Sequence, residues 1–252
     1  MKPNIHPIMQ KHLSRGRGWL LLLLLIVAAG MLFPGERPPA VTPARSADAE
    51  LPLSGYVVAL DPGHGGYDGG ARAHDSGLWE KELTLKIALV VEEHLTKRGA
   101  TVLLTRREDI CLAEGDTATK ARKRADLQKR VDMALEGGAD VFLSIHLNEY
   151  RSRSESGPQV FYQHGGDDGR LLATVLQSHM IRVLEPKKQR SAMAGDYYVL
   201  RSRLPSALVE CGFLSNAAEE KLLLSPEYHQ KIGQAIGDAL VEYRQLTAEQ
   251  TQ

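Results

Sequence analysis

Short apolar runs that do not alternate with polar residues are the feature that most limits the folds open to this chain. Tyr56-Val57-Val58-Ala59-Leu60, residues 101–105, 140–145 and 159–162, Tyr197–Leu200 and Ala207-Leu208-Val209 are runs of this kind. Between them, apolar residues recur at helical spacing. Leu83, Ile87, Val90, Val91 and Leu95 mark one helix, and Gly99 follows as a stop. Residues 119–136 read as a charged amphipathic helix with Leu127, Val131 and Leu135 on one face, stopped by Gly137-Gly138; 169–184 reads as another helix. Ser225-Pro226-Glu227 supplies a cap, a first-turn proline and an early acid. It opens a last helix with Tyr228, Ile232, Ile236, Leu240 and Tyr243 turned inward. A strand that is apolar on both sides must be covered on both sides. The expectation is therefore a single α/β domain: a mostly parallel twisted sheet of about six strands with helices on both faces. In such sheets the functional groups gather beyond the carboxyl ends of the strands, so residues just after a strand carry most of the interest.

The N-terminal quarter has a different character. Residues 1–18 hold four bases and no acid, and an unbroken apolar run of 15 residues, 19–33, follows. As a helix that run spans about 22 Å against a hydrocarbon core of about 30 Å. The pattern reads as a basic cytoplasmic tail leading into a signal anchor, or into a cleaved signal peptide. A small-x-small site exists at Ala47-Asp48-Ala49, 16 residues beyond Phe33. Residues 34–54, with five prolines, read as a linker, which leaves 55–252 as the folded domain. Either reading of the apolar run puts that domain outside the membrane. Across the chain Lys and Arg number 31, as do Asp and Glu. Residues 51–252 alone carry 25 bases against 28 acids, which argues against nucleic acid as a partner. The two cysteines, Cys111 and Cys211, form neither a disulfide framework nor a zinc ribbon.

Four residues stand where a parallel sheet would place chemistry. His64 follows the first strand in Asp61-Pro62-Gly63-His64-Gly65-Gly66, and His146 follows the third in Leu143-Ser144-Ile145-His146. Glu210 follows the last strand, and Glu80 sits where the loop after strand one enters its helix. Two imidazoles and one carboxylate are a common catalytic zinc set that leaves a coordination position open. A second carboxylate, free of the metal, can then move protons. Each residue also has a plainer reading. His64 could stabilise a glycine-rich turn, His146 could be a satisfied core histidine, and an acid in a first helical turn, as at Glu80, is expected from the dipole. Glu210 is the most telling, because a carboxylate closing a buried apolar run must be paired or functional. His74, His94, His164, His179 and His229 have no comparable placement. The glycine-rich loop lacks a phosphate-binding pattern. Cys211 reads as a small buried filler rather than a nucleophile. The basic run Lys120–Arg124 reads as a solvated helix face, from which Arg124, like Arg130 further along, could reach a substrate carboxylate.

Taken together and in this order, the motifs resemble the zinc-dependent N-acetylmuramoyl-L-alanine amidases of the amidase-3 family. They are Asp61-Pro-Gly-His-Gly-Gly with Asp68-Gly-Gly-Ala71, Glu80-Lys81-Glu82-Leu83, Thr105-Arg106-x-x-Asp109, Ser144-Ile145-His146-Leu147-Asn148, residues 157–162, and Pro205-x-x-Leu208-Val209-Glu210-Cys211-Gly212 with Phe213–Asn216. The resemblance implies that His64, Glu80 and His146 hold one zinc ion, with Glu80 chosen over Glu82, and that Glu210 is the catalytic carboxylate. It implies hydrolysis of the amide between the lactyl group of N-acetylmuramic acid and L-alanine of the peptidoglycan stem peptide. Asp61 and Asn148 are the expected orienting partners of the imidazoles. The short membrane segment, the single domain and Tyr197–Arg201 look most similar to the germination-specific, spore-cortex branch, where stem-peptide removal precedes muramic-δ-lactam formation by a separate deacetylase. Partners implied are peptidoglycan, the bacterial membrane, and an activating protein or that deacetylase. A vegetative or division-associated amidase, and an inactive exported peptidoglycan-binding module, are the alternatives. Residues 106–140 hold a single charged helix, too short for an inserted autoinhibitory one. Leu147 and Thr84 depart from the family's usual small residue and Asn, positions expected to touch no ligand.

Overall fold

The computed structural model describes residues 50–115 and 117–249. The expected tail (1–18), membrane segment (19–33) and nearly all of the linker (34–54) lie outside the described residues. Six strands form one sheet in the order β2-β1-β3-β6-β4-β5. They are β1 (Val57–Pro62), β2 (Thr101–Leu104), β3 (Val141–Asn148), β4 (Gln159–Gln163), β5 (Met193–Gly195) and β6 (Ser206–Phe213). β2, β1, β3 and β6 run parallel, β4 runs antiparallel to β6, and β5 runs parallel to β4. The helices are α1 (Glu80–Thr96), α2 (Lys120–Glu136), α3 (Asp167–Leu184), α4 (Ala217–Leu223) and α5 (Pro226–Glu249).

The sheet is covered on both faces, but unequally. On one face Val58, Leu60, Leu143, Ile145 and Val209 pack with Leu83, Ile87 and Val91 of α1, Leu172 and Leu176 of α3, and Ile232, Ile236 and Leu240 of α5. On the other, Ala59, Phe142 and Leu208 meet Val131 and Ala134 of α2 together with Val199 and Leu200. Side chains alternate along a strand with period two. Counting from Ala59, Phe142 and Leu208, that period puts Asp61, Ser144, His146 and Glu210 on the thinly covered face. Asp61 pairs in register with Ser144, and His146 with Glu210. The polar residues therefore stand side by side on neighbouring strands, under the end of the sheet that α2 leaves open.

Three elements differ from the sequence reading, one of them the short helix α4, which it did not contain. Tyr197–Leu200, expected as a strand, is instead a 3-10 turn over Tyr198–Leu200 closed by Leu200 N–H donating to Tyr197 C=O at 3.1 Å. Its buried Val199 and Leu200 serve the α2 side of the core, and so short a buried run has the composition of a strand. The fifth strand is Met193–Gly195, whose mostly exposed residues give no apolar signal. In addition, β6 continues through Phe213 and β3 through Asn148. Glu210 and His146 thus lie within the last residues of their strands rather than after them.

Candidate metal centre

The loop after β1 is held by its own carbonyls. His64 has φ 63°, in the left-handed region, where a side-chain-bearing residue is strained by about 1–2 kcal/mol. Two arginines, buried to 1% and 2% exposure, compensate. Arg130 Nη1 donates to Pro62 O at 2.9 Å and its Nη2 to His64 O at 2.7 Å. Arg106 Nε donates to Pro62 O and its Nη2 to Gly63 O, both at 2.9 Å, and Thr84 Oγ1 donates to Gly63 O at 2.9 Å. Arg130 is itself neutralised by Asp61 at 2.7 Å and Asp126 at 2.8 Å. Asp61 also accepts from Thr105 Oγ1 and Ser144 Oγ at 2.6 and 2.7 Å. Burial alone would raise the pKa of Asp61; Arg130 and the two hydroxyls outweigh it and hold the carboxyl below its ordinary range.

Above this clamp, three side chains converge. Glu80, the first residue of α1, faces His146 Nδ1 at 2.9 Å with one oxygen and His64 Nε2 at 3.1 Å with the other. The same oxygens accept from Leu147 N–H at 3.0 Å and Ala71 N–H at 2.8 Å. One donor atom from each of His64, Glu80 and His146 lies within 4.8 Å of the others, a group able to hold a metal ion. The imidazoles meet edge to face, with ring centres 4.8 Å apart. Glycines make the room: a Cβ on Gly63 would lie 2.3 Å from His146 Nε2, and one on Gly70 2.5 Å from Glu80 Oε2. Burial depresses the pKa of His64, yet Asp68 and Glu80 together raise it to about 9, so a cation binding there replaces a proton. Burial opposes ionisation of Glu80, and the two imidazoles reverse that to hold it well below the usual carboxylate range.

Glu210 stands beside the cluster. Its Oε2 is buried without a hydrogen-bond partner. Burial, then the charge of Glu80, pushes its pKa well above the ordinary value, with His64 pulling the other way. Imidazole nitrogens and a carboxylate oxygen are donors suited to a divalent metal with an open position. The orphaned oxygen of Glu210 fits a carboxylate kept for a ligand of that centre. All four residues line one cleft of about 520 Å³, with Tyr197 and Tyr198 on its wall.

The expected partners of the imidazoles are placed otherwise. Asp61 hydrogen-bonds neither ring; it anchors Arg130, which holds the His64 carbonyl. Asn148 lines the cleft, and its carbonyl accepts from Leu214 N–H. Besides Glu80, the carboxylate that faces His64 is Asp68, with Oδ1 3.0 Å from Nδ1, an ion-pair contact off the line of a hydrogen bond, and Oδ2 2.9 Å from Lys123 Nζ. Arg130 is buried in the clamp and is not a surface group for substrate. Thr84 touches none of the three converging side chains and holds the Gly63 carbonyl instead, whereas the backbone of Leu147, against expectation, binds Glu80. Cys211 packs in the core on the face opposite Glu210, out of reach of His146. His179 and His229 are buried structural residues, bonded to Glu242 and to the Leu223 carbonyl. Arg106 and Asp68 lie within the quoted motifs, but their roles follow from contacts that spacing does not encode.

An N-acetylmuramoyl-L-alanine amidase domain matches residues 58–242, and the chain belongs to that family. It is 38% identical over 195 residues, 77% of this chain and 81% of the relative, to the germination-specific N-acetylmuramoyl-L-alanine amidase of Bacillus subtilis. Its fold is similar to that of the CwlD amidase from Clostridioides difficile, solved in complex with the GerS lipoprotein (TM-score 0.73, 34% identity, 76% of this chain and 99% of that one). A second N-acetylmuramoyl-L-alanine amidase, from Clostridium difficile 630, superimposes with TM-score 0.67 at 29% identity over 77% of this chain and 98% of that one.

Proposed function

We propose that this chain hydrolyses the amide between the lactyl group of N-acetylmuramic acid and L-alanine of the peptidoglycan stem peptide. In this reading one zinc ion is held by His64, Glu80 and His146, and Glu210 moves the protons. The observation that carries it is the convergence of those three donors within 4.8 Å beside a buried carboxylate with an unpartnered oxygen. A zinc ion bound there supplies a Lewis acid that polarises a carbonyl and makes water acidic near neutral pH. Glu210 takes a proton from the attacking water and passes it to the alanine nitrogen as the C–N bond breaks. The N–H groups of Ala71 and Leu147 keep Glu80 aimed at both imidazoles. The Arg106–Arg130 clamp keeps His64 in its strained backbone conformation.

The germination-specific relative supports a role in the spore cortex, where removal of the stem peptide would precede lactam formation by a deacetylase. Residues 1–18 as a cytoplasmic tail, 19–33 as an anchor and 34–54 as a linker would then hold the catalytic domain on the wall side. An activating protein partner belongs to the same reading, as the Clostridioides difficile relative was solved with a lipoprotein. Two measurements test it. Elemental analysis should find one zinc per chain in the wild type and little in His64→Ala; equal zinc in both contradicts the ligand set. Muropeptide analysis of a deletion strain should find cortex lacking muramic-δ-lactam; cortex still rich in it removes the spore role and leaves a vegetative wall amidase.

A further inference from the structure

The cleft has a direction. Whatever protonates the departing amine must lie beside it, and in the reading above that group is Glu210. The sheet order runs from β1, which leads to His64, through β3 with His146 and β6 with Glu210, to β4. The departing peptide therefore lies over the β6–β4 side. There Tyr197 packs on Phe161 of β4 with ring centres 5.1 Å apart, and Tyr198 lines the cleft next to it.

Tyr198 is built in. Its hydroxyl donates to Gln128 Oε1 of α2 at 2.6 Å. Two guanidinium groups sit against its ring, Arg124 of α2 at 5.6 Å from the centre and Arg201 at 5.9 Å. Arg124 is exposed and in no ion pair among the described residues. Arg201 binds Asp196 Oδ1 through Nε at 3.0 Å and Nη2 at 2.7 Å. The one exposed carboxylate here, Asp196, thus pairs with Arg201 alone, and Arg124 is left without an acidic partner among the described residues. The first turn of α2 adds to the excess with Lys120 and Arg122 and no acid, its Lys123 being paired with Asp68. Basic groups at the positive end of a helix are unfavourable, a cost an anionic ligand would offset. An aromatic ring that pre-orders two planar forks suits bidentate binding of a carboxylate.

We propose that Arg124 and Arg201, flanking Tyr198, form the subsite for a carboxylate of the departing stem peptide. L-Alanine itself carries no side-chain charge, so the first candidate is the free carboxylate of the second residue, about 3.5 Å further along an extended chain. The inference rests on the amidase reading and makes that carboxylate a specificity determinant.

The test uses the purified full-length protein and two defined muropeptides that differ only in a carboxylate or a carboxamide on the second stem residue. Arg124→Gln and Arg201→Gln should each raise KM about fivefold on the carboxylate substrate, with kcat within about twofold. On the carboxamide the same variants should match the wild type. Lys231→Gln, an exposed charge removed from α5, controls for net charge and should change neither. Equal effects of the arginine variants on both substrates, or none on either, overturn the subsite. A wild type that cleaves neither muropeptide nor intact wall refutes the amidase reading instead, and the subsite with it.

Discussion

Gly63→Ala adds a single methyl group, and the structure places its effect on one side chain. The new Cβ would lie 2.3 Å from Cε1 and Nε2 of His146. Ordinary carbon contacts are about 3.5–4.0 Å, so the imidazole must withdraw by about 1.2 Å or more. Gly63 is not among the glycines with positive φ, so alanine adds no backbone strain there. A misplacement of that size at a reacting centre costs about 100-fold in kcat/KM, or about 2.7 kcal/mol of barrier. Zinc affinity should fall by about 10- to 100-fold as the ligand geometry opens. Overpacking should also destabilise the fold by about 1–3 kcal/mol. The assay is zinc competition against a chromophoric chelator, run beside turnover and thermal unfolding. Gly166→Ala is the control, because its added Cβ would meet nothing nearer than Gln163 O at 3.5 Å; it should keep wild-type zinc affinity. A Gly63→Ala protein that binds zinc within twofold of the wild type and retains kcat/KM would refute the reasoning.

Glu210→Gln should keep its zinc and lose about 10²- to 10⁴-fold in kcat; elemental analysis beside a wall-release assay checks both halves. Arg130→Met would leave Asp61 and Asp126 buried without their cation, costing about 3–5 kcal/mol, seen as a melting temperature lower by roughly 10 °C. Asp61 has a folded-state pKa below its ordinary 3.8. Its stabilising contribution is therefore complete above that value and lost as pH falls through the folded pKa. Asp61→Asn should be less stable at neutral pH and show a shallower loss of stability below pH 3.8 in urea titrations; an unchanged acid slope contradicts this.

What the chain's own pattern made legible was the layout. Apolar runs without alternation implied a mostly parallel sheet, and the helical spacing of Leu83 through Leu95 and of Tyr228 through Tyr243 located two of the three helices that cover its thick face. The rule that chemistry gathers at the carboxyl ends of strands selected His64, His146 and Glu210 out of nine histidines and many acids. Glu80 was not separable from an ordinary first-turn acid by spacing; the resemblance pointed to it, and the structure then placed both of its oxygens against imidazoles. The clamp was illegible for a physical reason. Arg106 and Arg130 act on carbonyls, which every residue carries, at sequence separations of 43 to 68. The same holds for Asp68, four residues from His64, because a loop with His64 at φ 63° has no regular period to count on. Tyr197–Leu200 misled because burial on one side of a short turn leaves the same residue types as burial in a strand.

The most direct measurement is mass spectrometry of the products released when the purified protein digests peptidoglycan, with and without a chelator. The account predicts free stem peptides beginning with L-alanine and glycan bearing intact lactyl carboxylates, with release stopped by the chelator and restored by added zinc. Peptides that stay attached to muramic acid, or release that ignores the chelator, would contradict it.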